Sequence, residues 1–236
     1  MLKRRALKSG WFYLSNIISM RTRALARPVP PSEAPAPIRE AVPQLEKGEE
    51  KMPTIETERL ILRDFVPSDW DALNAFLSNP AVTQYMHFSS WDEQRRRQWL
   101  ASLVQQAANP DRDAYNWAII LRSNGQLIGW LIIGRSRQAI QEGMRDCGCG
   151  YALDQHYWGH GYMPEALQAA FAYAFTMLGT QRIHAECERE NTASARVMQK
   201  SGMHYEETVY DDDGLGNWAY RYRYVITAES GKNASG

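Results

Sequence analysis

A chain of 236 residues, 44% hydrophobic and 23% charged, has the balance of an ordinary globular protein and is long enough to bury a full core in one or two domains. The 27 basic and 27 acidic residues cancel, so the chain as a whole exerts no pull on nucleic acid or anionic membrane, and neither is an expected partner. Three cysteines, Cys147, Cys149 and Cys187, cannot all pair and have no metal-knuckle spacing, which points to a reducing, cytoplasmic setting and to no structural metal.

Residues 1–51 differ from the rest. Lys3, Arg4, Arg5, Lys8, Arg21, Arg23 and Arg27 come without a single acid before residue 33, so the remainder is net acidic. Trp11 to Met20 is an apolar run broken by Ser15, Asn16 and Ser19, too short to span a bilayer. Pro28, Pro30, Pro31, Pro35, Pro37 and Pro43 then exclude regular helix or strand. A transit peptide, a secretory signal and a disordered or artefactual extension ahead of a true start at Met52 all fit this composition. The last is preferred, because a new pattern begins at once after Met52. The domain is expected at 52–228, with a disordered tail at 229–236.

In chain order, Thr57 to Phe65 reads as a strand around Leu60-Ile61-Leu62. Pro67-Ser68-Asp69 opens a helix with Ser68 as N-cap, and Asn79-Pro80 ends it. Ser90 and Glu93 form a capping-box signature before a helix from Arg95 to Ala108. Tyr115 to Leu121 and Leu127 to Ile133 flank Asn124-Gly125, a hairpin signal. Cys147 to Leu153 is a strand, with its thiols either packed as small hydrophobes on one face or forming a soft metal site; packing is preferred. Pro164 to Leu178 is an amphipathic helix ended by Gly179. Ile183 to Cys187 is a strand, Thr192 to Lys200 a helix, and His204 to Tyr210 and Trp218 to Ile226 the last strands. The alternation gives an α/β (α+β) fold: a mixed central sheet of about seven strands flanked by helices on both faces.

Chemistry concentrates between Tyr151 and Leu167, where a strand passes through Gly159-His160-Gly161 into a helix. Glycines admit close backbone approach, and a helix start offers unpaired amides and a positive dipole end, together a cradle for a diphosphate. Pro164 suits the first helical turn. A Walker A loop would need Gly-Lys-Ser/Thr, but Tyr162 follows Gly161; a dinucleotide fingerprint would need a third glycine where Pro164 stands.

Trp158-Gly159-His160-Gly161-Tyr162-Met163-Pro164-Glu165-Ala166 resembles the acetyl-CoA loop of GNAT N-acetyltransferases, in particular the RimJ/RimL-type branch. Thr54 to Arg63 resembles the first strand of that branch, and Asn191-Thr192-Ala193-Ser194 through Lys200-Ser201-Gly202-Met203 its Asn-x-x-Ser helix. The resemblance implies the acyl-CoA N-acyltransferase fold, with a mostly antiparallel sheet, and transfer of acetyl from acetyl-CoA to a primary amine by direct attack. The acceptor would be a protein N-terminal α-amine or a small molecule. The protein would be a monomer or homodimer and need no metal.

By the same resemblance, Tyr151, Ala152 and Leu153 meet the pantetheine and thioester through their main chain. Gly159, His160, Gly161, Tyr162 and Met163 hold the pyrophosphate, Asn191 contacts the pantetheine arm, and Ser194 lies near the thiol. Where the superfamily often has a tyrosine acid seven residues after the asparagine, this chain has Met198, which has no proton to give. That vacancy is the main support for a rival reading, a non-catalytic CoA-binding module. Glu186 is the first choice of base, with a solvent-facing glutamate paired on its face with Glu188 as the alternative. His160 and His204 are further candidates, and an acidic loop at Asp211-Asp212-Asp213 is either an attractor for a cationic amine or a solvated turn.

Overall fold

The computed structural model describes residues 54–86, 91–109, 112–135, 139–140, 143, 145–212 and 218–229. Eight strands form one sheet: β1 (Ile55–Glu56), β2 (Leu60–Arg63), β3 (Ala114–Leu121), β4 (Leu127–Gly134), β5 (Asp146–Leu153), β6 (Arg182–Glu188), β7 (His204–Asp212) and β8 (Trp218–Thr227). Their spatial order is β1-β2-β3-β4-β5-β6-β8-β7, antiparallel throughout except for the parallel pair β5–β6. The extra strand is β1, which lies ahead of the strand read from Thr57 to Phe65 and is separated from β2 by a turn at Thr57. The Thr57 and Leu60 backbones bond at 2.9 Å, and the Thr57 hydroxyl accepts the Leu60 N–H at 2.9 Å, closing a tight turn.

Helices α1 (Trp70–Leu77), α2 (Pro80–Thr83) and α3 (Glu93–Ala107) precede β3; α4 (Tyr162–Met177) joins β5 to β6, and α5 (Thr192–Lys200) joins β6 to β7. Three helix starts differ from expectation. Ser68 lies in a 3-10 turn, Pro67–Asp69, and it is Asp69 that accepts the Val66 N–H at 2.9 Å while pairing with Arg63. Asp92, not Ser90, caps α3 by accepting the Arg95 N–H at 2.8 Å; Ser90 lies outside the described residues. Helix α4 begins at Tyr162, two residues before the predicted start at Pro164, which leaves the proline in the first turn where no N–H is required.

The two sheet faces bury separate cores. Helix α4 packs on β1, β2 and β4, and α5 on β6, β7 and β8, around Trp117, Leu131, Phe171, Ile183, Met198 and Tyr224. On the other face α1 and α3 cover β4 and β3, enclosing Phe65, Leu73, Phe76, Leu103 and Trp130. Each fully buried side chain of this size contributes about 1.5–3 kcal/mol. Among the described residues no helix is long and apolar enough to cross a membrane.

Candidate active site

The parallel pair β5–β6 makes only three rungs, Asp146–Arg182, Cys147–Ile183 and Gly148–His184. Beyond them β5 pairs with β4 as far as Leu153, and β6 pairs with β8 as far as Glu188. The sheet therefore opens as a split, with Cys149 to Leu153 along one wall and Ala185 to Glu188 along the other. Backbone groups facing the split have no ladder partner and are available to a bound molecule.

The glycine loop lies at the open end of the β5 wall. Gly159 and Gly161 have φ of 81° and 78°, a left-handed backbone that favours glycine. A Cβ at Gly159 would meet nothing within 4 Å, and at Gly161 only the Arg59 guanidinium at 3.5 Å, so the ground in front of both glycines is open. Gly161 is the N-cap of α4 and has no side chain with which to cap it, which leaves the helix's first amides and dipole end facing the loop. Tyr162 stacks on the exposed His160 ring, with centroids 5.7 Å apart, while Met163 is buried in the core.

On the β5 wall Tyr151 carries more than its main chain. Its hydroxyl lies 2.8 Å from Ser194 Oγ and donates to the Ser194 carbonyl at 3.1 Å, reaching across the split to the first turn of α5. Burial drives the Tyr151 phenol well above its ordinary range, which keeps it neutral. Ala152 is buried toward the α1–α3 core. The Leu153 carbonyl accepts the Trp158 indole N–H at 2.8 Å, so the half-exposed tryptophan of the loop motif fastens the strand end to the turn. Asn191 is the N-cap of α5, its side-chain oxygen accepting the Ser194 N–H at 3.0 Å.

Glu186 lies on the other wall and the other face. Ile183, Ala185 and Cys187 join the α4–α5 core, so His184, Glu186 and Glu188 project to the opposite side. Ser194 and Glu186 thus flank the split from opposite faces. Glu186 Oε1 accepts from Nε of the buried Arg223 at 2.8 Å, and Arg223 also pairs with Glu207. His184, beside the last rung, is buried and its Nδ1 has no hydrogen-bond partner. Burial, with Arg182 and Arg223 nearby, pushes its pKa down to about 3. His204 is exposed at the start of β7, and its backbone pairs with Val225. Asp211 and Asp212 end β7, whereas Asp213 lies outside the described residues.

The cysteine thiols are buried, and burial raises the pKa of all three, Cys187 to about 12. They pack as neutral small groups, and among the described residues no three His, Cys, Asp or Glu side chains gather as a metal site. Met198 is fully buried in the core, away from solvent.

Several participants escaped the sequence reading: Arg223, His184, the phenol of Tyr151, and a bond set joining Arg59 to Glu165. Arg59 and Glu165 both belong to quoted motifs, yet no spacing rule joins residues 106 positions apart.

Residues 59–204 match the family model described as the acetyltransferase (GNAT) domain. The uncharacterized N-acetyltransferase YnaD of Bacillus subtilis (strain 168) is 30% identical over 176 residues, covering 74% of this chain and 97% of its own. A GNAT-family acetyltransferase from Bacillus anthracis superposes with a TM-score of 0.64 at 29% identity, covering 75% of this chain and 99% of its own. Mycobacterium smegmatis RimJ, solved in complex with CoA-disulfide, shares the fold with a TM-score of 0.60 at 22% identity, covering 72% and 82%. With its split sheet, its glycine loop and these likenesses, the chain belongs to the GNAT acetyltransferase family.

Proposed function

We propose that this acetyltransferase, acting in the cytoplasm, transfers acetyl from acetyl-CoA to a primary amine, either a protein N-terminal α-amine or the amine of a small molecule. The observation that carries the reading is the split between β5 and β6 with the glycine loop at its open end. In this reading the diphosphate rests on the amides of Gly159 to Met163, and the pantetheine arm runs between the Tyr151–Leu153 main chain and Asn191. The working domain spans 52–228, and residues 1–51 are dispensable for the chemistry.

The amine enters from the Glu186 face, and its nitrogen attacks the thioester carbonyl carbon. As the C–N bond forms and the C–S bond breaks, the amine's proton goes to Glu186, directly or through water, and from there to solvent, while the Ser194 hydroxyl donates a hydrogen bond to the departing thiolate, which takes its proton from water. Arg223 aims the carboxylate through Oε1. Tyr151 holds the Ser194 hydroxyl in place. Unpaired N–H groups of the β5 wall lie where negative charge develops on the carbonyl oxygen.

The test is mass spectrometry of a mixed amine and peptide library incubated with acetyl-CoA. An acetylated amine identifies the acceptor class. CoA binding with no product from any amine would instead support a CoA-binding module, the reading that the buried Met198 favours.

A further inference from the structure

Arg59 is fastened to the glycine loop at three places. Its Nε and terminal nitrogen both reach Glu165 Oε2 at 2.6 Å, and its other terminal nitrogen donates to the His160 carbonyl at 2.9 Å. Its guanidinium lies over the Tyr162 ring, 4.7 Å from the centroid. Glu165 is held in turn by the Arg59 backbone N–H at 3.0 Å and the Thr57 hydroxyl at 2.6 Å. The turn between the first two strands thus grips the loop and the first turn of α4, 106 residues away.

The grip on His160 has a consequence set by peptide geometry. A trans peptide holds its C=O and its N–H on opposite sides. Drawing the His160 carbonyl toward Arg59 turns the Gly161 amide away from Arg59. Glycines at 159 and 161 flank this unit with permissive backbones, so little else opposes its rotation. Rotated over, the unit would present a carbonyl oxygen to a diphosphate in place of an N–H.

We propose that Arg59 is a positioning residue for the diphosphate cradle, fixing the His160–Gly161 peptide with its amide outward before acetyl-CoA arrives. Its charge is neutralised by Glu165, so it acts through the geometry of its planar fork and not as a free cation. The inference rests on the reading of the loop as the diphosphate site and adds a residue outside it.

The test compares two ligands on the full chain: CoA, and acetyl-pantetheine, which has the arm without the diphosphate. Calorimetry follows CoA and an NMR titration follows acetyl-pantetheine, with the variants Arg59→Met, Arg59→Lys and Glu165→Gln. Both Arg59 variants should lose about tenfold in CoA affinity and keep wild-type affinity for acetyl-pantetheine. Arg59→Lys is decisive where Arg59→Met fails to fold, because lysine keeps the charge but cannot hold Glu165 and the His160 carbonyl together. Glu165→Gln should also weaken CoA binding, since it loosens the anchor. Unchanged CoA affinity in the lysine variant, equal losses for both ligands, or tighter CoA binding by Glu165→Gln would each overturn the inference. A wild-type chain that binds no CoA would sink the acetyl-CoA reading itself, and this inference with it.

Discussion

On the β5 side of the split, shape is held by backbone: two left-handed glycines, a helix start without a side-chain cap, and a strand end tied down by the Trp158 indole. On the β6 side it is held by charge: a buried arginine paired with two glutamates, and a buried histidine kept neutral by burial and by the field of Arg182 and Arg223. A wall of backbone amides suits a ligand portion of fixed charge and shape, such as the diphosphate of the proposed donor. A wall of titratable side chains suits a step in which a proton moves. The two sides should therefore fail differently when altered, one in affinity and the other in stability, rate and pH response.

The largest effect is expected at Arg223. Arg223→Met removes the cation between Glu186 and Glu207, leaving two carboxylates without their partner. Breaking such a pair costs about 3–5 kcal/mol when fully buried; the partial exposure of both glutamates, 20% and 29%, places the expected loss toward the lower end. Urea unfolding measures it, and a loss below about 1 kcal/mol would show that charge does not hold this wall.

Next is Glu186→Gln, which should keep acetyl-CoA affinity and lower turnover by roughly 10². The rate of the wild type should rise with pH as the amine loses its proton. Near wild-type turnover across the pH range would move the proton to Ser194, His204 or water.

His184 should then sharpen the contrast through pH. The folded chain keeps this imidazole neutral to about pH 3, while the unfolded chain takes up a proton at its ordinary value of 6.5. Below that value the unfolded state binds the extra proton, so the stabilisation is complete above pH 6.5 and falls as the pH drops, by about 1.4 kcal/mol per unit. Between neutrality and about pH 5 the wild type should lose about 2 kcal/mol more than His184→Gln. Equal losses in the two would mean that His184 is not held neutral.

The smallest effect belongs to the backbone wall. Gly161→Val forces a branched side chain into a left-handed conformation at a loop edge with open space, so the chain should still fold. Acetyl-CoA affinity should drop at least tenfold, about 1.4 kcal/mol. Unchanged affinity in calorimetry would remove the loop from the site.

What the sequence disclosed follows the same division. The left-handed positions of the loop appear in it as glycines, alternation marked β3, and the Asn124-Gly125 turn set β4 beside it, because these demands are local. Helix α5 was legible to the residue, from Thr192 to Lys200. The Arg223 cluster was not, because it depends on the β6–β8 register and on the irregular pairing of β7 with β8 between Tyr205 and Glu207. Glu186 could be placed on a strand, but the arginine opposite it could not. The Tyr151–Ser194 contact was hidden for a similar reason: it joins a strand and a helix across the split, at a separation of 43 residues.

If the split and the glycine loop together form the acetyl-CoA site, a crystal structure of the protein with acetyl-CoA will show it. The diphosphate should lie on the amides of Gly159 to Met163, the arm between the Tyr151–Leu153 main chain and Asn191, and the thioester between Ser194 and Glu186. Acetyl-CoA bound elsewhere, with the split closed or filled by protein, would contradict it.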